Sequence, residues 1–229
     1  MNRIHNFKKI SRLAYNEECR KVAVHEAGHA AAIHFGNKQK KLPPVFFQVA
    51  IKRLNGAFKA ADCLGKHYDP PVAYIEGGRL IHTLPLSFNE LEKKFSNADM
   101  QAYEEAFEAD MVNLLVGPLA EAKYLAGRDD EPMGPQSVNV YSLHYYGGLS
   151  DLKIVNAYLD CFTHNPEQRQ SKLNQLFLAA FRFISEIPHW LAITALADYI
   201  LANDKNILEC EEVIAVLEAG SRATRYIYC

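Results

Sequence analysis

The sequence predicts a mainly α-helical chain with a small β-sheet, and three observations carry that expectation. Apolar residues recur at helical spacing over most of the chain, two short runs rich in β-branched and aromatic residues interrupt them, and Gly, Pro and Asn punctuate the joins. The 229 residues are 49% hydrophobic and 23% charged, an ordinary globular composition that supports one full-sized core. A single domain over 1–229 is expected, with 1–16 as an N-terminal arm.

Residues 17–35 carry Val22, Ala23, Ala27, Ala30, Ala31, Ile33 and Phe35 at helical spacing, and Gly36-Asn37 supplies a C-terminal stop. After a basic, Pro-containing stretch at 38–44, the run 45–51 is too short for a good helix and reads as a strand. Gly77-Gly78 interrupts 72–84 between Tyr74-Ile75 and Leu80-Ile81, the pattern of a tight hairpin, so two or three strands are expected. Beyond Ser96-Asn97, the residues Met100, Tyr103, Phe107, Met111, Leu114 and Leu115 mark the core face of a long helix reaching Gly127. Gly117-Pro118 should kink or split it. Residues 128–148 read as loop, Ser150 as the N-cap of a helix to about Phe162, and Asn165-Pro166, Pro188 and 203–206 punctuate three more amphipathic helices ending near Gly220.

Charge and composition exclude several function classes. The 25 Lys and Arg against 27 Asp and Glu leave a net charge of −2, which gives no general attraction to nucleic acid or to acidic membranes. The longest apolar run, 187–197, ends at Asp198, short of the roughly 20 residues a bilayer span needs. Arg3, Lys8, Lys9 and Arg12 break up the first twenty residues, so no secretory signal is read there. The five cysteines (Cys19, Cys63, Cys161, Cys210 and Cys229) form no CxxC pair and are odd in number, as thiols in a reducing compartment would be. A cytoplasmic protein is expected.

One pentapeptide carries chemistry: His25-Glu26-Ala27-Gly28-His29. Residues four apart share a helix face, so both imidazoles can ligate one tetrahedral ion, and Glu26, about 100° away, can reach a water on that ion without being a ligand. Zinc brings such a water to a pKa of about 7, and a carboxylate can take its proton during attack on a carbonyl. An ordinary helix would hardly spend Gly28 here, since glycine costs about 1 kcal/mol relative to Ala. A third ligand is needed, and spacing leaves Glu104, Glu105, Glu108, Asp110, Glu121 and Asp151 all open.

The segment Val24-His25-Glu26-Ala27-Gly28-His29-Ala30-Ala31 resembles the zinc helix of the FtsH-family peptidase domain. Leu115-Val116-Gly117-Pro118-Leu119-Ala120-Glu121 resembles that family's glycine-alanine-glutamate helix, and Gly147-Gly148-Leu149-Ser150-Asp151-Leu152 its Gly-x-x-x-Asp-Leu segment, in the family's order. The likeness spans about 17–222. It implies one Zn2+ per chain held by His25, His29 and Asp151, with Glu26 as general base and Glu121 as an acceptor for a zinc-bound histidine. It also implies a strand edge at 46–52 that takes the substrate in extended form. The sequence departs from the family in having no G-x-x-x-x-G-K-[ST] motif and no membrane helix ahead of the peptidase-like region, so an ATP-independent enzyme is expected. The interval from His29 to Asp151 is longer than the family's, with the surplus at 66–97 and 128–146.

Several weaker signals have structural readings. Tyr141, His144, Tyr145 and Tyr146 precede Asp151 and fit a packed loop better than an oxyanion site. His34 lies off the ligand face, Cys63 is a poor candidate for a zinc thiolate, and Lys38, Lys40 and Lys41 read as a solvated loop. The expected function is therefore a zinc metallopeptidase acting on peptides or unstructured protein. The rivals are a non-catalytic zinc-binding or interaction protein with an occluded site, and a zinc hydrolase of non-peptide amides. A homo-oligomer fits too, since the resembled family forms rings, largely through parts outside this sequence.

Overall fold

A computed structural model describes residues 3–52, 72–85, 87, 88, 91 and 93–223, with side chains at 16–51 and from 73 onward. Helix α1 (Arg3–Ala31) is longer than its apolar pattern, taking in the segment read as an arm. It does not stop at Gly36-Asn37 either: a π-helical turn, Ala32–Gly36, and a short α2 (Asn37–Gln39) carry it on. Gly36 stays right-handed at φ −64°, so its capping potential is unused, and Lys41 makes the left-handed exit at φ 56°.

Strands β1 (Phe47–Lys52) and β2 (Val72–Gly77) pair antiparallel in the register Val49↔Ile75. The expected hairpin across Gly77-Gly78 is absent. Both glycines have positive φ, but they end β2 rather than returning it, and Leu80 and Ile81 give their N–H groups to Asp110 instead of to a strand. The third strand, β3 (Ile207–Leu208), comes from a stretch that reads as punctuation between helices, and the sheet order is β2-β1-β3.

Helix α3 (Asn97–Arg128) starts where Ser96 accepts the Asp99 N–H, and it runs unbroken through Pro118. A 3-10 turn (Val140–Tyr145) closed by an Asn139–Ser142 capping box leads into α4 (Leu149–Phe162). Gly148, not Ser150, is the N-cap of α4, which places Ser150 and Asp151 in its first turn. Helices α5 (Pro166–Ser185), α6 (Ile187–Ala202) and α7 (Cys210–Arg222) complete the chain, with Asn165 capping α5 ahead of its N-terminal Pro. No single described helix is long and apolar enough to cross a membrane.

Helix α1 lies in the core, packed on α3 and α6, and α3 in turn supports α4 and α5. The α1–α3 crossing is close because both helices offer small residues there. A Cβ on Gly28 would stand 2.9 Å from the Ala120 Cβ and 3.1 Å from the Gly117 Cα. Close backbone approach is what the helix gains in return for the propensity lost at Gly28. The stripe of Phe107 and Met111, with Met100 and Tyr103 against it, is core as expected.

Candidate metal centre

The α1–α3 crossing aims the two histidines across α3 at the first turn of α4. His25 Nε2 lies 3.3 Å from Asp151 Oδ2 and His29 Nε2 lies 3.5 Å from Asp151 Oδ1. One ligand atom from each residue falls within a sphere of mutual separations no greater than 4.8 Å, and all three residues are buried. A tetrahedral ion with bonds of 2.0–2.1 Å to nitrogen and oxygen has ligand atoms about 3.3 Å apart, close to the distance of each imidazole from its nearer Asp151 oxygen. The 3.3 Å contact to His25 lacks hydrogen-bond alignment, and Asp151 Oδ2 is a buried acceptor with no hydrogen-bond partner. A cation at the three-residue junction would satisfy it.

The remaining ring nitrogens are fixed from behind. His25 Nδ1 meets Glu121 Oε2 at 3.2 Å, and His29 Nδ1 meets the Asn113 carbonyl at 2.8 Å. Donation from each Nδ1 turns both Nε2 atoms toward the junction. Glycines make room for this arrangement. A Cβ on Gly147, held at φ 70°, would lie 2.9 Å from Glu121 Oε2 and 3.1 Å from His25 Nδ1, wedging their contact apart. A Cβ on Gly117 would overlap the His29 imidazole itself. Gly117→Ala is therefore expected to displace His29 and to weaken metal binding roughly 10–100-fold, the range for lost ligand support, read by chelator competition.

The electrostatics favour positive charge at the junction. Burial opposes a charge on His25, but the Asp151 and Glu121 carboxylates outweigh it and push the imidazole up to about 10. Burial also works against an ionised Asp151, yet His25 and His29 more than offset it and hold the carboxyl below its usual range. Glu26 moves the other way: burial raises it, with the two imidazoles and the Ile75 N–H only partly compensating. A carboxylate raised in this way is the more capable proton acceptor.

The junction opens on a cavity of about 450 Å³ lined by α1, β2, α3 and the start of α4, with Tyr74, Arg79, Asn113 and Ile154 among its walls. Glu26 borders it, and its Oε2 accepts the Ile75 N–H at 2.9 Å. Of the acids that spacing leaves open, only Asp151 joins the histidines, while Glu121 supports His25. Glu104 and Glu108 bind Lys172, and Glu105 pairs with Gln101. Asp110 accepts from Leu80 N, Ile81 N and the Tyr158 hydroxyl, each at 2.9 Å, and so pins the segment after β2 to α3. Asp110→Ala would orphan the Leu80 and Ile81 N–H groups, while the Tyr158 hydroxyl keeps the Ile81 carbonyl at 3.3 Å, and a loss of about 3 kcal/mol is expected in denaturant unfolding.

The strand edge expected at 46–52 is corrected. β1 is the central strand, paired with β2 along its length and with β3 at Val49 and Ala50, and it does not line the cavity; the edge along the cavity belongs to β2. None of Tyr141, His144, Tyr145 and Tyr146 lines the cavity, but the packed loop expected there is corrected: Tyr141 and Tyr145 are largely exposed on the 3-10 turn, and of these tyrosines only Tyr146 packs against the core. His34 pairs with Glu218 away from the junction, and Cys63 lies outside the described residues. Sequence reasoning missed the two backbone partners, the Asn113 carbonyl and the Ile75 N–H, which no residue type announces. It also missed Arg79 and Asp110 as cavity-forming residues, for which Gly77-Gly78 was the available signal. Neither protein-family models nor curated protein sequences yield a match to this chain.

Proposed function

We propose that the protein is a zinc-dependent, ATP-independent metallopeptidase of the FtsH-peptidase type, binding one Zn2+ per chain and cleaving peptides or unstructured protein segments. The observation that carries the reading is the convergence of His25, His29 and Asp151 on one point of a cavity wall, with Asp151 Oδ2 accepting no aligned hydrogen bond and Glu26 beside them. Two imidazoles and a carboxylate suit zinc, and also non-haem iron(II). Glu26, on the cavity wall beside them, stands where a base for hydrolysis would be needed, which favours the zinc reading. Bound zinc would supply Lewis acidity and an acidified water.

The chain's own residues divide the remaining work. His25, His29 and Asp151 hold the ion, Glu121 and the Asn113 carbonyl keep the imidazoles oriented, and Glu26 takes the proton from the attacking water and returns it to the leaving amine. The edge of β2 that faces away from β1 lies along the cavity and, among the described residues, pairs with no further strand, so it offers main-chain groups to an extended substrate. Incubation of the zinc-loaded protein with labelled casein, a polypeptide without a stable fold, tests the proposal. Cleavage that stops on chelation and returns with zinc is expected; intact casein over a day, with zinc bound, would leave the non-catalytic rival.

A further inference from the structure

The contact between Glu26 and β2 joins the base to the place where a substrate would bind, and its geometry is specific. Ile51 donates across to Asn206 on the β3 side, whereas Gly78 donates to Phe46 on the β2 side. Odd-numbered residues of β1 therefore bond toward β3 and even-numbered ones toward β2. With Ala50 opposite Tyr74 and Gln48 opposite Glu76, the residues Tyr74 and Glu76 turn their main-chain groups to β1. Ala73, Ile75 and Gly77 turn theirs outward, and all three line the cavity. The middle donor of that edge, Ile75 N–H, is the one that holds Glu26 Oε2 at 2.9 Å.

An extended chain adding to β2 and the Glu26 carboxylate thus compete for one N–H. Resting on the peptidase reading above, we propose that Ile75 N–H is a clamp on the base, released when a substrate carbonyl takes the N–H in its place. The exchange swaps one acceptor for another on the same donor and breaks no covalent bond. Only a chain long enough to lie along β2 frees Glu26 for the water, so the enzyme acts on extended polypeptide and spares small amides, and substrate length acts on kcat more than on KM.

The test compares a dipeptide amide with a decapeptide sharing its central pair, on wild type, Ile75→Pro and Ile75→Ala. Proline removes an N–H that is outside the β1 ladder, a position edge strands tolerate. Wild type and Ile75→Ala should show a kcat at least tenfold higher for the decapeptide, and in Ile75→Pro the gap should close to about threefold through faster turnover of the dipeptide. Equal slowing of both substrates by Ile75→Pro, or no change, overturns the clamp. A second readout needs no turnover: labelled casein should bind Glu26→Ala roughly tenfold more tightly than wild type, because the competing acceptor is gone. Equal or weaker binding overturns the clamp whether or not the protein proves to be a peptidase, and absence of hydrolysis alone bears on the peptidase reading only.

Discussion

Asp151→Ala is expected to empty the metal site. Asp151 is the only carboxylate among the described residues that reaches both imidazoles, at 3.3 and 3.5 Å, and it comes from a different helix than they do. Without it, two histidines on one helix remain, and two ligands do not make a closed zinc site. The loss of affinity should exceed the roughly 10–100-fold that losing an outer partner costs, and Glu121→Gln, which weakens only the support of His25, should stay within that range. Equilibrium dialysis against a zinc buffer separates the two. If Asp151→Ala costs no more than Glu121→Gln, Asp151 would be a first-turn acid of α4 and not a ligand.

Glu26→Gln is expected to abolish turnover while leaving the metal in place. Glutamine keeps the size of the side chain and an oxygen that can still accept the Ile75 N–H, so the local geometry has no reason to change. What disappears is the ability to take a proton, and loss of a general base costs typically 10²–10⁴-fold in rate. Casein hydrolysis beside metal stoichiometry provides the check. Full activity in Glu26→Gln would mean that another group accepts the proton.

Much of this site was legible because its elements repeat at short range. The histidines and Glu26 are readable from one helix, where spacing alone puts the two imidazoles on one face and Glu26 about 100° from His25. Asp151 was legible only through its motif context, since the 122-residue interval from His29 says nothing of proximity. Gly117-Pro118 looked like a break in α3, but Gly117 gives room to the His29 ring and Pro118 packs on Gly148. A tertiary demand therefore overrode the local one, and the helix continues. The sheet was the poorest reading for the same reason. Gly77-Gly78 has the chemistry of a hairpin turn, yet Asp110 captures the N–H groups of Leu80 and Ile81 and diverts the chain, a long-range bond that no local pattern encodes. Likewise β3 has only two residues and exists because Ala50 and Val49 are there to pair with it.

The measurement that bears most directly on this account is the metal content of the wild-type protein by elemental analysis, after incubation with zinc and removal of the excess. About one zinc per chain is predicted, from the open three-ligand set of His25, His29 and Asp151. Protein that retains no zinc would contradict the metal centre, and with it the peptidase.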